Sequence, residues 1–260
     1  MSENPESFIP ALTVVIIGTG AVASTLIKYI HEKGVIVLQQ YGRSRPSEFY
    51  APFTDRIEDI RIDADIYIIA VTDDSIPILL GKLPNLSGIV VHTAGSVGID
   101  VFEGKFQHYG SLYPLQSFSK DRTIFVNSIP FIIEVNSSLA HSGLESLADQ
   151  LDIKVHYMSF EDKLQYHLAA VFANNFTNHM YAIAKELLDE KDLDYNLLKP
   201  LMFESFDKLI TRNPKDIQTG PAKRNDLSIL KKQYKMLTNK PNFKEIYKVV
   251  SNSIADFYKK

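Results

Sequence analysis

The sequence predicts an α/β protein in two parts, a doubly wound, mainly parallel sheet followed by an all-helical domain. Short β-branched runs alternate with helical patterns up to residue 158, and beyond it the apolar residues follow a helical period without strands. The charge changes at the same place: residues 1–158 carry 11 basic and 18 acidic side chains, and residues 159–260 carry 17 and 13. We therefore expect domains at residues 1–158 and 159–260.

Seven strands are expected in the first domain, and several are apolar on both faces, as buried parallel strands are. They are Thr13–Ile17, Val35–Tyr41, Ile66–Val71, Ile89–His92, Tyr109–Leu112, Phe131–Val135 and Lys154–Tyr157. The clearest helices between them are Ala21–Lys33 and Ser138–Leu151, the second with Asn136 and Ser137 as candidate caps.

The second domain is expected to contain four helices, separated by Asn-Pro, Gly-Pro and Lys-Pro pairs that end helical patterns. These helices are Leu164–Leu188, Tyr195–Thr211, Asp226–Leu237 and Pro241–Tyr258.

The composition excludes several kinds of chemistry. The 260 residues include no cysteine, which removes thiol nucleophiles, cysteine zinc sites and iron–sulfur clusters. The seven histidines lack metal-ligand spacing, and no G-x-S-x-G elbow is present, so neither a metal site nor a serine hydrolase is expected. A net charge of −3 gives no general attraction for nucleic acid or for an anionic membrane.

The chain also shows no targeting or membrane segment by pattern. Its first ten residues are acidic and contain proline, unlike a secretion signal, and no apolar run reaches the ~18 residues that span a bilayer. We expect a cytoplasmic protein that acts on a small molecule, without nucleic-acid or membrane partners.

A glycine-rich turn follows the first expected strand and opens the first helix. The residues Gly18-Thr19-Gly20-Ala21-Val22-Ala23 form a G-x-G-x-x-A sequence. The first glycine permits a tight turn, the second lets a pyrophosphate approach the helix N-terminus, and the alanine lets helix and sheet pack closely. This predicts a Rossmann-type dinucleotide site. A tight turn without a ligand is the alternative.

The end of the second strand favours NADP (NADPH) over NAD. The sequence there is Gln40-Tyr41-Gly42-Arg43-Ser44-Arg45, without the acidic residue that binds the ribose 2′-hydroxyl in NAD sites. Arg43, Ser44 and Arg45 offer two guanidinium groups and a hydroxyl to a 2′-phosphate. A solvated basic turn is the alternative.

Two further strand ends are expected at the same edge of the sheet, near the nicotinamide. The residues assigned to the cofactor there are Val71, Thr72, His92, Thr93, Ala94 and Gly95. The first of these strands continues into Asp73 and Asp74, which are more typical of a helix cap than of a catalyst. His92 suits either a proton donor or a histidine packed at a strand end.

The long helix is expected to present a polar face. At 100° per residue, His167, Val171, Asn174 and Asn178 share a narrow arc with Asn175 on its flank, among mostly apolar residues. Buried polar groups need partners, and a substrate can be one. Histidine can supply the proton that hydride transfer to C=O or C=N requires. The alternative is hydrogen bonding between helices, or a dimer interface.

Two other segments are candidates for the substrate cleft. Arg224 lies in the turn-rich segment Thr219–Asp226 and can bind a carboxylate, while Asp226 fits a helix N-cap. Residues 223–248 carry eight basic and two acidic side chains, which suits a solvated face or a rim that attracts an anionic substrate. Tyr113-Pro114-Leu115-Gln116 either lines the cleft or forms an ordinary loop.

These motifs together resemble a family of "putative NADP oxidoreductases" that pair a Rossmann domain with a helical domain of unknown function. The resemblance spans nearly the whole chain and includes the glycine-rich turn, the strand ends, the segment from Tyr113, the helix Tyr166–Ala184 and the segment Thr219–Asp226. The chain is more distantly similar to pyrroline-5-carboxylate reductase, to F420-dependent NADP oxidoreductases and to the 6-phosphogluconate and 3-hydroxyisobutyrate dehydrogenases. This similarity implies a nicotinamide cofactor and leaves the substrate open.

One departure from the wider superfamily concerns the catalytic lysine. Those dehydrogenases place a lysine four residues before an asparagine on the corresponding helix, and if Asn175 is that asparagine, position 171 holds valine. His167 one turn earlier, or Lys163 one turn before that, can substitute, or catalysis is lost.

The sequence thus predicts an NADP(H)-dependent oxidoreductase that transfers hydride to or from a small carbonyl or imine substrate, expected to be acidic. His167 would move the proton, Asn174 or Asn175 would position the substrate, and Arg224 would hold its acidic group. A homodimer through the helical domain is expected. The alternative is a noncatalytic NADP(H)-binding sensor or assembly module.

Overall fold

The computed structural model describes residues 12–119 and 125–259. The chain forms two compact units that divide between Ala173 and Asn174. The first unit contains a mainly parallel sheet with helices, and the second is helical, which confirms the predicted fold class. The boundary predicted at residues 158 and 159 stays a prediction.

The first unit is built on one eight-stranded sheet with the order β3-β2-β1-β4-β5-β6-β7-β8. Its strands are β1 Thr13–Ile17, β2 Ile36–Tyr41, β3 Phe53–Thr54, β4 Ile66–Ile69, β5 Ile89–His92, β6 Tyr109–Pro114, β7 Pro130–Val135 and β8 Lys154–Tyr157. Neighbouring strands are parallel except β6 and β7. All seven expected strands are present, and the additional β3 has only two residues, too few to form a sequence pattern.

Four helices belong mainly to this unit: α1 Ala21–Glu32, α2 Ser75–Leu80, α3 Ser138–Leu151 and α4 Phe160–Ala170. Of the two candidate caps of α3, Ser137 is the N-cap, and its hydroxyl accepts from the Ala140 amide at 3.3 Å. The Asn136 side chain instead accepts from the Tyr109 amide and donates to the Gln107 carbonyl.

Both faces of the sheet are buried, which explains why its strands read as continuous apolar runs. Alternate residues of β1 enter different clusters: Val14 and Ile16 pack with residues of α1 and α3, whereas Val15 and Ile17 pack with residues of α2. The central strands are therefore fixed from both sides, and their carboxyl ends form a rigid edge.

The second unit contains α5 Thr177–Asp189, α6 Lys199–Thr211, α7 Pro214–Ile217, α8 Leu227–Met236 and α9 Pro241–Phe257, with a 3-10 turn at Tyr195–Leu198. The Asp226 carboxylate accepts from the Ile229 amide at 3.2 Å and caps α8, as expected. No helix in the part of the chain that the structure describes is long and apolar enough to cross a bilayer.

The expected helix Leu164–Leu188 is not one α-helix. A π-helical segment, Val171–Phe176, separates α4 from α5. A π-segment turns less per residue than an α-helix, so a constant 100° per residue does not apply across it. The single arc predicted for His167, Val171, Asn174 and Asn178 assumes a constant rotation that this part of the chain does not have. π-Segments of this kind occur frequently at functional sites.

Candidate functional site

The loops that follow β1, β2, β4 and β5 meet at one edge of the sheet because these strands are parallel. Backbone hydrogen bonds join them in sequence: the Gly18 amide donates to Tyr41 at 2.8 Å, and the Ala70 amide donates to Ile17 at 2.8 Å. The Thr93 amide donates to Ile69 at 3.0 Å. The structure thus brings the predicted cofactor segments to a common edge, where open parallel sheets bind ligands.

Gly18 is required by the protein's own backbone. Its φ of +142° disfavours any side chain, and a Cβ here would lie 2.2 Å from the Ala70 carbonyl oxygen. The buried side-chain amide of Gln40 donates to the Gly18 carbonyl at 2.9 Å and holds the turn from the other side.

Gly20 differs from Gly18, since nothing in the fold of the described residues requires a glycine there. Its φ is −75°, and a Cβ would meet no atom within 4 Å. Gly20 is the N-cap of α1 without a side-chain hydrogen bond to the helix, and the first turn contains no acidic residue. The open space and the uncapped amides of Ala21 and Val22 fit a phosphate group.

The basic turn after β2 lies at the surface. Arg43, Ser44 and Arg45 are all exposed, and the Arg45 guanidinium lies 4.9 Å from the centre of the Phe49 ring. Neither arginine forms an ion pair with a described residue. Thr19 lies between the two turns, because its Cγ2 would be 2.4 Å from a Cβ at Gly42. The positive charges of this turn are therefore available to an anionic ligand.

The segment after β4 is tied to the segment after β5. Val71 is half-buried and Thr72 is exposed. Asp74 takes the N-cap position of α2, but its side chain accepts no hydrogen bond from the helix. The Asp73 carboxylate instead accepts a hydrogen bond from the Ser96 hydroxyl. Asp73 thus links the two loops rather than capping the helix.

His92 is packed inside the protein. It has no exposed surface, its Nδ1 accepts from the Ala94 amide at 3.2 Å, and its Nε2 donates to the Gly98 carbonyl at 3.4 Å. Burial, together with the nearby charge of Lys163, lowers the pKa of His92 to about 3. A neutral imidazole with both nitrogens engaged cannot donate the catalytic proton, so its role is to shape the loop from Thr93 to Gly98.

His167 reaches the same edge and meets two residues there. Its Nδ1 lies 3.1 Å from the hydroxyl oxygen of Tyr113, which stands near the carboxyl end of β6. A Cβ on Gly95 would lie 2.6 Å from this Nδ1 and 2.8 Å from the Tyr113 ring. Only glycine at position 95 lets the loop lie this close to both side chains.

The Tyr113 hydroxyl orients the imidazole of His167. Burial, and secondarily the charge of Asp73, raises the pKa of Tyr113 above its usual value, so the phenol stays protonated at neutral pH. A protonated phenol can donate its O–H to Nδ1 of His167, and in that tautomer the imidazole proton is on Nε2. Within the described residues this Nε2 has no hydrogen-bond partner, and it is free to face a substrate.

Lys163, the other candidate substitute for the missing lysine, is bonded to groups of the protein itself. Its side chain is fully buried, and Nζ donates to the Val97 carbonyl at 3.0 Å, to the Ser111 hydroxyl at 3.1 Å and to Glu134 at 3.2 Å. All three ammonium protons are engaged. This excludes Lys163 as a direct proton donor in the described arrangement.

The remaining candidates lie in the second unit. Asn174 and Asn175 follow within the π-segment, and both are exposed, so the expected buried polar stripe is absent there. Arg224 is also exposed and stands two residues before the cap of α8. Across the described residues, no group of three or more His, Asp or Glu side chains is placed to hold a metal ion.

Comparison with solved structures places the chain in a family. A crystal structure described as a "putative NADP oxidoreductase" from Bacteroides fragilis is 34% identical, covers 94% of this chain and 98% of its own, and superposes with a TM-score of 0.86. The chain belongs to the family of this Bacteroides fragilis protein. A family model described as a domain of unknown function, DUF2520, matches residues 129–254. No curated protein matches the sequence.

Two more distant members of this fold extend the comparison at the level of architecture. A Thermotoga maritima protein is 20% identical with a TM-score of 0.69, and each chain covers most of the other, at 94% and 98%. The pyrroline carboxylate reductase of Plasmodium falciparum, solved with NADP bound, is 17% identical with a TM-score of 0.59 and the same coverage. Identities this low show only that this family member shares their fold.

Sequence reasoning missed the partners of the candidate residues more than the residues themselves. Tyr113 was expected either to line the cleft or to belong to an ordinary loop, Gln40 was named only as part of the end of the second strand, and Glu134 was given no role. One signal was available: Glu134 interrupts the apolar strand β7, and a charge within a buried strand needs a partner. The Tyr113–His167 contact links residues 54 positions apart and has no local signal.

The two glycines of the turn after β1 lead to a paired prediction. Gly20→Ala will weaken NADPH binding about tenfold or more, because a methyl group enters the space for the pyrophosphate, and will leave thermal stability nearly unchanged. Gly18→Ala will lower the melting temperature because its Cβ meets the Ala70 carbonyl. Calorimetric titration and thermal unfolding of both variants check this. Tight NADPH binding by Gly20→Ala would contradict the assignment of the loop.

Proposed function

We propose that the protein is an NADP(H)-dependent oxidoreductase that reduces or forms a small carbonyl or imine compound carrying an acidic group. The observation that supports this best is the arrangement at one sheet edge. The open space beside Gly20, in the turn after β1, and the contact of His167 with Tyr113 and Gly95, at the carboxyl ends of β5 and β6, lie at the same edge of the parallel strands. A dinucleotide whose pyrophosphate lies beside Gly20 can extend along this edge to Gly95 and His167.

The residues that would hold the dinucleotide follow from their positions. The amides of Ala21 and Val22 at the start of α1 bind the pyrophosphate, and Arg43, Ser44 and Arg45 bind the 2′-phosphate of NADP. Val71, Thr72, Thr93, Ala94 and Gly95 line the nicotinamide end, where small side chains and backbone permit a close approach. NADP in the Plasmodium falciparum reductase is consistent with this choice of cofactor.

His167 is the residue that transfers the proton in this proposal. NADPH supplies a hydride when it is bound, and the heteroatom that the hydride leaves negatively charged needs a proton. His167 donates this proton from Nε2, while Tyr113 holds Nδ1 and keeps the ring oriented. In the reverse direction the same nitrogen accepts the proton. Asn174 or Asn175 would orient the substrate, and Arg224 would bind its acidic group.

The first prediction concerns cofactor preference. Arg43→Gln will weaken NADPH binding about 10- to 100-fold and leave NADH binding nearly unchanged, because only NADPH carries the 2′-phosphate. Arg56→Gln is the control, since Arg56 is equally exposed but pairs with Glu58 and Asp59. Calorimetric titration of both nucleotides measures this. Equal loss of NADPH and NADH affinity would show that Arg43 does not select the phosphate.

The second prediction concerns catalysis. NADPH oxidation against a panel of small keto acids and cyclic imino acids will identify at least one substrate, and His167→Ala will lower its turnover about 100-fold or more without weakening NADPH binding. His156→Ala, an exposed histidine on the outermost strand β8, will behave like the unchanged protein. NADPH binding without turnover of any compound would instead favour the sensor or assembly module.

A homodimer through the helical unit is the third part of the proposal. In this unit α5 to α9 contain no fully buried residue, and α6 exposes five large apolar side chains, Leu201, Phe203, Phe206, Leu209 and Ile210. Apolar surface of this extent marks an interface. A second copy of the chain is always present when the first one folds, and homodimers are the commonest assemblies of this kind.

Light scattering after size exclusion tests the dimer. The protein will elute with twice the 29.4 kDa mass of one chain, and Phe206→Glu will shift it toward the monomer by placing a charge in an apolar contact. Lys208→Glu, on the same helix at a charged position, will stay dimeric. A monomer at micromolar concentration would overturn this part of the proposal and leave the cofactor site unaffected.

A further inference from the structure

Lys163 forms a buried polar centre beneath the candidate site. Its three hydrogen bonds go to three different elements: Val97 in the loop after β5, Ser111 in β6 and Glu134 in β7. Its Nζ also lies 5.3 Å from the centre of the Phe160 ring. Lys163 on α4 is thus hydrogen-bonded directly to the loop after β5 and to the strands β6 and β7.

The charges around Lys163 are balanced within this centre. Glu134, whose side chain is only 18% exposed, forms the ion pair, and Asp100 adds a second favourable charge nearby. Burial lowers the pKa of Lys163, and these two carboxylates oppose that change. His92, the titratable group on β5, stays neutral beside it. Three acceptors facing three N–H bonds are the partners that an ammonium group requires.

The bond to Val97 connects the two sides of the candidate site. Val97 follows Gly95 by two residues in the loop, and Lys163 precedes His167 by one helical turn on the same face of α4. The loop and the helix touch where Gly95 meets His167, at a distance that leaves no room for a methyl group. A displacement of a few tenths of an ångström between them would therefore change the contact.

We propose that Lys163 is a positioning residue: by holding the Val97 carbonyl, Ser111 and Glu134, it sets helix α4 against the loop after β5 so that His167 faces the nicotinamide position. This inference rests on the proposed function, and it explains how His167, the proton donor of that proposal, is held in position. Lys163 touches neither cofactor nor substrate in this account, and it acts only through His167 and the Gly95 loop.

The experiment separates positioning from stability. In Lys163→Met the Glu134 charge is left buried without its partner, which destabilises the protein. The double variant Lys163→Met/Glu134→Met replaces both partners by apolar side chains, and such replacements are often neutral for stability. The double variant is expected to recover most of the melting temperature while the Val97 carbonyl still lacks its donor.

Two readouts follow the position of His167. In protein with ¹³C-labelled histidine and glycine, nuclear Overhauser effects between the His167 ring and the Gly95 α-protons will be present in the unchanged protein and lost in the double variant. Once a substrate is identified, turnover by the double variant will be about 100-fold lower than that of the unchanged protein, as expected when a proton donor is misplaced. Its affinity for NADPH will change less than about threefold. Glu134→Gln, which removes the charge of the ion pair but keeps an oxygen that can accept from Nζ, will show a smaller loss.

Lys105→Met is the matched control. Lys105 also donates Nζ to a backbone carbonyl, that of Leu83 at 3.1 Å, and Leu83 lies in the loop that follows α2. This variant will retain the His167–Gly95 signals and full turnover. Retention of both by the folded double variant would overturn the proposal. Failure of the double variant to fold would also overturn it, since Lys163 would then be needed for the fold itself. The nuclear Overhauser measurement needs no turnover, so a protein that binds no NADPH would refute the proposed function alone.

Discussion

The close contact of Gly95 with Tyr113 and His167 is the constraint on which the candidate site depends. Parallel pairing of β4, β5 and β6 brings the ends of these strands to one edge, and the absence of a side chain at position 95 lets α4 approach it. A phenol held protonated by burial then fixes one nitrogen of the imidazole and leaves the other available. Sheet topology, one glycine and one buried hydroxyl together determine where the His167 ring lies.

The two ends of the site use glycine for different physical reasons. Gly18 and Gly95 are required because other atoms of the protein occupy the place of a side chain. Gly20 has empty space there and an ordinary backbone conformation, so no described part of the fold requires a glycine at this position. This contrast supports the proposed phosphate loop over a tight turn without a ligand, the two alternatives that the G-x-G-x-x-A sequence leaves open.

The strands, and the sheet edge at which their loops meet, were predictable from the sequence because both depend on local patterns. Apolar runs such as Ile66–Ile69 mark buried parallel strands, and the glycine turn follows the first of them directly. The helical face was not predictable, because the π-segment Val171–Phe176 leaves no clear local signal and changes the rotation that the prediction assumed. The partners of Lys163 lie 29 to 66 residues away, and such contacts become visible only when the sheet order is known.

The most direct test of this account is a crystal structure of the protein with NADPH bound. The account predicts the pyrophosphate at the amides of Ala21 and Val22, and the nicotinamide C4 near Gly95 with space for a small substrate between C4 and His167, within the ~3–4 Å reach of a reacting pair. A nicotinamide bound away from the Gly95 loop, or a His167 ring turned out of reach of it, would contradict the account.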